Sequence, residues 1–304
     1  MHQTISFTIH MSHILKNKNL EIQIDLPAEN YNFSRFDWTG NIVSVKFKNI
    51  QLASTESATY ANEMQTGKGF YNEFGIDTAL GFNEAVNGDW FHKIGVGLLK
   101  KDNEEYIFNR NYEIKPADFE IKYTSNTILI ICKSEFNNGY SYVLKKEIKL
   151  EKHGFTINYD LENTGEKEII TDEYVHNFIA INKELIGCNY VLKLPFKLMP
   201  AFFLETVNPE QKVTIGQTDV TFNDSPKEQF FFSNLNGSKN VKPQWELKNL
   251  ESKISISETG SFNTDKVNLW GWKHVISPEL FIDVSVEPGQ NANWTRTYKI
   301  SNFL

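Results

Sequence analysis

The sequence predicts an all-β protein: a large antiparallel β-sandwich or barrel with few short helices. Three observations carry that prediction. The 304-residue chain is rich in Phe (23), Tyr (12) and Trp (6), with many β-branched residues and little Ala, a mix suited to a pleated, half-buried surface. From Tyr106 onward, short apolar runs alternate with turn residues at a spacing of roughly ten, the rhythm of antiparallel sandwiches. Helical periodicity is weak throughout. A hydrophobic fraction of 40% is enough to bury a substantial core, and no linker, charge block, low-complexity segment or repeat divides the chain. One domain over residues 1–304 is therefore expected.

Taken in order, Leu20 to Leu26 (LEIQIDL) alternates at period two until Pro27 stops it. In Arg35 to Phe47 (RFDWTGNIVSVKF), Thr39-Gly40-Asn41 reads as a turn between two antiparallel strands, the second starting at Ile42. Residues 67–97 differ: seven of the 17 glycines fall there among aromatics with no sustained period. Such a stretch is either a site-lining loop or a long surface connection with hydrophobic anchors. Strand signals follow at 106–115, 119–125, 127–135, 140–151 and 155–163, and Asn163-Thr164-Gly165 makes a turn. Further strands read at 190–198, 212–222, 229–235, 253–259, 267–276, 280–287 and 293–301, with Pro288-Gly289 turning between the last two. Only Gln244 to Ser252 (QWELKNLES) suggests a short helix.

Composition excludes several classes. The net charge is −7, and no Lys/Arg block is long enough to form a nucleic-acid face. The N-terminus has no long apolar segment and no cleavage site of small residues, so neither a signal peptide nor a membrane span is expected. The expected location is cytoplasmic, with Met1 or Met11 as the start and His2 and His10 incidental. Cys132 and Cys188 are expected as buried free thiols. No cluster has metal-ligand spacing, so no metal is expected, and no nucleophile elbow, P-loop or dinucleotide fingerprint occurs.

The stretch from Ile169 to Ile181 (IITDEYVHNFIAI) places His176 between two apolar runs, where flanking strands can fix its height. It is the first candidate for acid–base work. His153, beside Gly154, reads as a solvated turn residue. His92 and Lys93, with Glu73, belong to the glycine-rich stretch, and His274 closes the segment LWGWKHV. Trp270 and Trp272 fall on one side of a strand, with His274 sharing that side. Aromatic faces stack on the C–H face of a pyranose and polar groups contact its hydroxyls. Packing of the core would explain the same pair of rings.

FDWTGNIVSV, FYNEFGI, FTINYDLENTGEKEIITDEYVHNF and SPELFIDVSVEPGQNANWTRTYKI, in that order along almost the whole chain, resemble the aldose 1-epimerase or galactose mutarotase-like superfamily. The resemblance implies a supersandwich with a sugar pocket on its concave face. It also implies interconversion of the α and β anomers of a free sugar without a cofactor. His176 matches the family's acid histidine, although Val175 stands where the family pattern has asparagine, and Asn177 follows. For the general base Glu279 is the nominee, a strict strand alignment offering Lys273 or His274 instead. His92 or Lys93 is the nearest counterpart of a second histidine. The implied substrate-binding set is His92, Lys93, Glu73, Asn177, Trp270, Trp272 and His274. The partner is a small-molecule sugar, with no nucleic acid or membrane, and the chain is expected to be a monomer or homodimer. A carbohydrate-binding protein that keeps the pocket without the base is the alternative.

Overall fold

The structure, a computed structural model, describes residues 12–58 and 63–303. The two candidate start methionines, His2 and His10 lie outside the described residues. All paired strands are antiparallel, and the helical content of the described residues is confined to four three-residue 3-10 turns. A seven-stranded sheet runs His13–Lys16, Leu20–Asp25, Asn41–Phe47, Phe70–Phe74, Ile169–Asn177, Ile282–Val286, with Ile50–Gln51 added to Asn41–Phe47. A ten-stranded sheet faces it, centred on Ile254–Gly260 and Asn291–Asn302. Four- and three-stranded sheets complete the molecule.

The core between the two large sheets explains the period-two pattern. Tyr142–Glu151 and Gly154–Asn163 pair over ten residues, each alternating between core and surface, as expected when one face of an antiparallel sheet is packed and the other solvated. Phe70 on the seven-stranded sheet meets Phe155 and Tyr298 on the ten-stranded one. Each such ring stabilises the fold by roughly 1.5–3 kcal/mol over leaving it exposed. A polar layer is buried in the same interface. Arg296 binds Glu173 and Glu258, each at 2.6 Å, and all three are fully buried.

A second apolar cluster covers the other face of the seven-stranded sheet, built from Phe36, Trp38, Tyr71, Phe91, Tyr112, Phe178 and neighbours. The glycine-rich stretch supplies much of it, and it is more regular than its sequence suggested. It holds the strands Phe70–Phe74 and Trp90–Lys93.

Several expectations need correction. Gln244–Asn249 is a strand, not a helix; Trp245 and Leu247 turn inward at period two and pair on both sides. Arg35 to Trp38 is not a strand, because Asp37 and Trp38 donate their N–H groups to Asn72 and Gly95 instead. Tyr106 to Glu113 is irregular, held by Tyr106 stacking on Tyr112. The segment read as one strand at 267–276 is a hairpin of Val267–Trp272 and Val275–Leu280 turning at Lys273 and His274. Cys132 is buried and free, whereas Cys188 is free but exposed, its thiol on the Asn223 carbonyl.

Candidate functional site

Register decides what faces His176. The Ile169–Asn177 strand opposes Ile282–Val286, with Glu173 across from Ile282, and further along Ile179 bridges to Ile276. The same offset puts Glu279 directly across from His176. Alternation sends Tyr174 and His176 to the face away from the large core, and Glu173, Val175 and Asn177 into the core. On the other neighbour, Phe70–Phe74, Tyr71 lies opposite His176 and Glu73 opposite Tyr174. The single strand pattern therefore assembles Glu73, Tyr174, His176 and Glu279 on one surface.

His176 Nε2 lies 3.4 Å from Glu279 Oε1, and both residues are 4% exposed. The imidazole stacks on Phe178 (ring centroids 4.0 Å apart) and meets the edges of Trp270 at 5.1 Å and Phe36 at 6.2 Å. Its Nδ1 is buried with no hydrogen-bond partner among the described residues. Burial in this aromatic box, with the positive Arg35 nearby, holds the His176 pKa well below its ordinary value. Glu279 receives one hydroxyl, Ser277 Oγ at 3.2 Å, and no cation pairs with it among the described residues. Burial pushes its carboxyl up to about 8, against a partial lowering by Arg35 and Ser277. Burial thus favours the uncharged form of each group, a protonated carboxyl facing a neutral imidazole.

A fixed charged layer lies beside the pair. Buried Glu73 takes Arg35 Nε at 2.9 Å, the Tyr174 hydroxyl at 2.7 Å and Lys93 Nζ at 3.5 Å. Arg35 also pairs with Glu56 at 2.8 Å, and its guanidinium stacks over Phe36 and Phe108. Lys93 donates to Tyr106 and to the Gly75 carbonyl. Glu56 accepts the Gly67 N–H, and Gly67 has no side chain because a Cβ there would lie 2.3 Å from the Phe178 ring. Both cations are therefore already engaged by carboxylates.

The structure brings together His176, Glu279, Glu73, Lys93 and Trp270, and sets the other sequence candidates apart. Trp272 packs on the same aromatic cluster, but its indole N–H goes to the Lys227 carbonyl. His274 sits in the hairpin turn, Nε2 3.0 Å from the Thr55 carbonyl oxygen. Asn177 faces the core and donates to Glu258 and the Pro278 carbonyl. His92 points away from Lys93 on its strand, buried beside Tyr140 and Tyr142. Burial lowers its pKa to about 4. Sequence reasoning missed Arg35, Tyr174, Phe178 and Ser277. Arg35 alone left a signal, as one of three arginines, set among aromatics. Among the described residues no group of three or more His, Cys, Asp or Glu is arranged to hold a metal, and no helix is long and apolar enough to cross a membrane.

By sequence the chain matches no protein-family profile and no curated protein. Its fold does have solved counterparts. Slr1438 from Synechocystis sp. PCC 6803 superposes with a TM-score of 0.59 at 12% identity, over 99% of this chain and 100% of that one. A galactose mutarotase-like protein from Lactobacillus casei ATCC 334 gives 0.56 at 12% identity, over 96% and 100%. The GalM/aldose epimerase homologue from C. elegans gives 0.54 at 11%, over 97% and 100%. The architecture is that of the galactose mutarotase-like β-sandwich.

Proposed function

We propose that the chain is an aldose 1-epimerase-like enzyme that interconverts the α and β anomers of a free, uncharged sugar. The observation that carries this reading is the buried His176–Glu279 contact, with one proton between them. Anomerisation needs one group to protonate the ring oxygen and another to take the anomeric hydroxyl proton. Both oxygens are bonded to one carbon, so a donor and an acceptor already in contact can serve both.

The proton positions reverse the roles expected from the family resemblance. Glu279 gives its proton to the ring oxygen as His176 takes the anomeric hydroxyl proton. The bond from the anomeric carbon to the ring oxygen breaks, its electron pair stays on that oxygen, and the carbonyl forms. The pair is then carboxylate and imidazolium. Rotation of the aldehyde and return of both protons close the ring on the other face. Only protons move, so the reaction requires no redox cofactor. Trp270 offers an apolar face for the sugar ring.

The preference for an uncharged sugar follows from the charge balance. Arg35 and Lys93 are held by Glu73 and Glu56, leaving no spare cation in that layer to neutralise a phosphate. The test is magnetisation-exchange NMR on neutral hexoses, pentoses and hexose phosphates. Wild type accelerates exchange of a neutral sugar, and His176→Ala and Glu279→Gln each lower the rate by about 10²-fold or more. Saturable binding without acceleration would instead support the carbohydrate-binding alternative.

A further inference from the structure

The alternation of Tyr142–Glu151 sends one lysine into the core. Tyr142, Leu144, Ile148 and Leu150 face inward, and Lys146 takes the position between Leu144 and Ile148. Its amine meets Asp37, in the segment that forms no strand, and neither side chain has any exposed area. A buried ion pair offsets its desolvation cost only with close, well-aligned hydrogen bonds. Lys146 Nζ instead stands nearly equidistant from the two Asp37 oxygens, at 3.4 and 3.5 Å. A charge-assisted bond would bring it to about 2.7–2.9 Å.

The surroundings favour the neutral pair. Burial lowers the Lys146 pKa, against the opposing pull of Asp37 and Glu173. Transfer of one proton within the contact leaves a carboxylic acid beside a free amine, the nucleophilic form of lysine. Asp37 Oδ1 accepts the Thr39 N–H at 2.9 Å and the Thr39 hydroxyl at 2.8 Å. Two fixed donors on one oxygen stabilise the negative charge of a tetrahedral intermediate. Groups held in such contact within one molecule react as if at about 10⁵–10⁸ M, and the closed core excludes the water that would reverse an amide. The other buried lysine contact lacks these features. Lys93 reaches one oxygen of Glu73 and gives protons to Tyr106 and Gly75, while Arg35 and Tyr174 hold the second oxygen.

The geometry points to an intramolecular isopeptide bond between Lys146 Nζ and Asp37 Cγ, a modification the chain makes on itself independently of the proposed sugar chemistry. The neutral acid carries its proton on Oδ2. The amine lone pair attacks Cγ, and the negative charge collects on Oδ1 against Thr39. A proton passes from the nitrogen to Oδ2, the Cγ–Oδ2 bond breaks, and one water leaves as the amide forms. Nothing is oxidised or reduced, and no co-reactant is consumed. The bond joins residues 109 positions apart, tying the segment ahead of Asn41–Phe47 to the ten-stranded sheet.

Mass spectrometry of the denatured full-length protein reads the bond without any assay of activity. The wild-type chain is lighter than its sequence by one water, about 18 Da. Trypsin releases residues 36–46 joined to residues 146–149, with Lys146 uncleaved. That joined peptide separates the bond from a mass loss elsewhere in the chain. Lys146→Arg and Asp37→Ala each carry the full mass of their sequences. The wild-type measurement decides the matter even where these buried variants fold poorly. Full sequence mass in the wild-type chain, recovery of residues 36–46 solely as a free peptide, or the same loss persisting in Lys146→Arg would each overturn the proposal.

Discussion

At the scale of the residue, Glu279 trades stability for chemistry. Its carboxyl is raised from the usual 4.5 to about 8 by burial. The unfolded chain releases that proton above its ordinary pKa while the folded chain keeps it, so the fold loses stability as pH rises between those values. Each unit is worth at most about 1.36 kcal/mol. Glu279→Gln keeps the shape and cannot ionise. The variant should therefore be no more stable than wild type near pH 4 and more stable by about 2–4 kcal/mol at pH 8. Urea unfolding at the two pH values measures this. Equal stability differences at both would mean that Glu279 titrates normally.

His176 obeys the opposite sign. Its lowered pKa means that the fold resists protonation and loses stability as pH falls below the ordinary histidine range.

At the scale of the element, the site is a product of strand register. The Ser277 hydroxyl accepts the Asn177 N–H and donates to Glu279, tying the histidine strand to the carboxylate strand. That bond lowers the Glu279 pKa, so Ser277→Ala should move the alkaline limit of activity upward, and Ser277→Thr should restore it. A pH profile of both variants checks this. A change in rate at every pH with an unmoved limit would assign Ser277 to packing alone.

The same element shows what was legible in the sequence. The β-branched run, the Asn163-Thr164-Gly165 turn and His176 were readable because each is local: Gly165 N–H closes on Asn163 Oδ1, two residues back. Glu279 was nominated, but its approach to His176 depends on pairing across a hundred residues. Arg35 was not recognised as part of the site, because its stretch forms no strand and its partners Glu73 and Tyr174 are distant in sequence. His274 was placed on a strand it does not belong to, because the two-residue turn at Lys273 and His274 carries no glycine, asparagine or proline to announce it.

At the scale of the whole molecule, the Arg296 layer joins the two large sheets behind the site. Arg296 lies on Asn291–Asn302 and holds Glu173 on the histidine strand and Glu258 on Ile254–Gly260. Trp294 and Asn72 also donate to Glu173, and Trp245 donates to Glu258. Removing the cation leaves two buried carboxylates unpaired, so Arg296→Met should destabilise the fold by about 3–5 kcal/mol. Denaturant unfolding reads this, and a loss below about 1 kcal/mol would mean that the layer relaxes freely. The molecule is a sandwich whose buried ion layer fixes one strand, and whose opposite face presents a histidine in contact with a carboxyl group.

The protonation of that pair is tested most directly by the pH dependence of anomerisation in the wild-type protein. With the proton on Glu279, the rate holds through neutral pH and falls along a single-proton limb near pH 8. A rate that instead falls through the ordinary histidine range near 6.5 would place the proton on His176. A rate equal to buffer at every pH would contradict the enzymatic reading altogether.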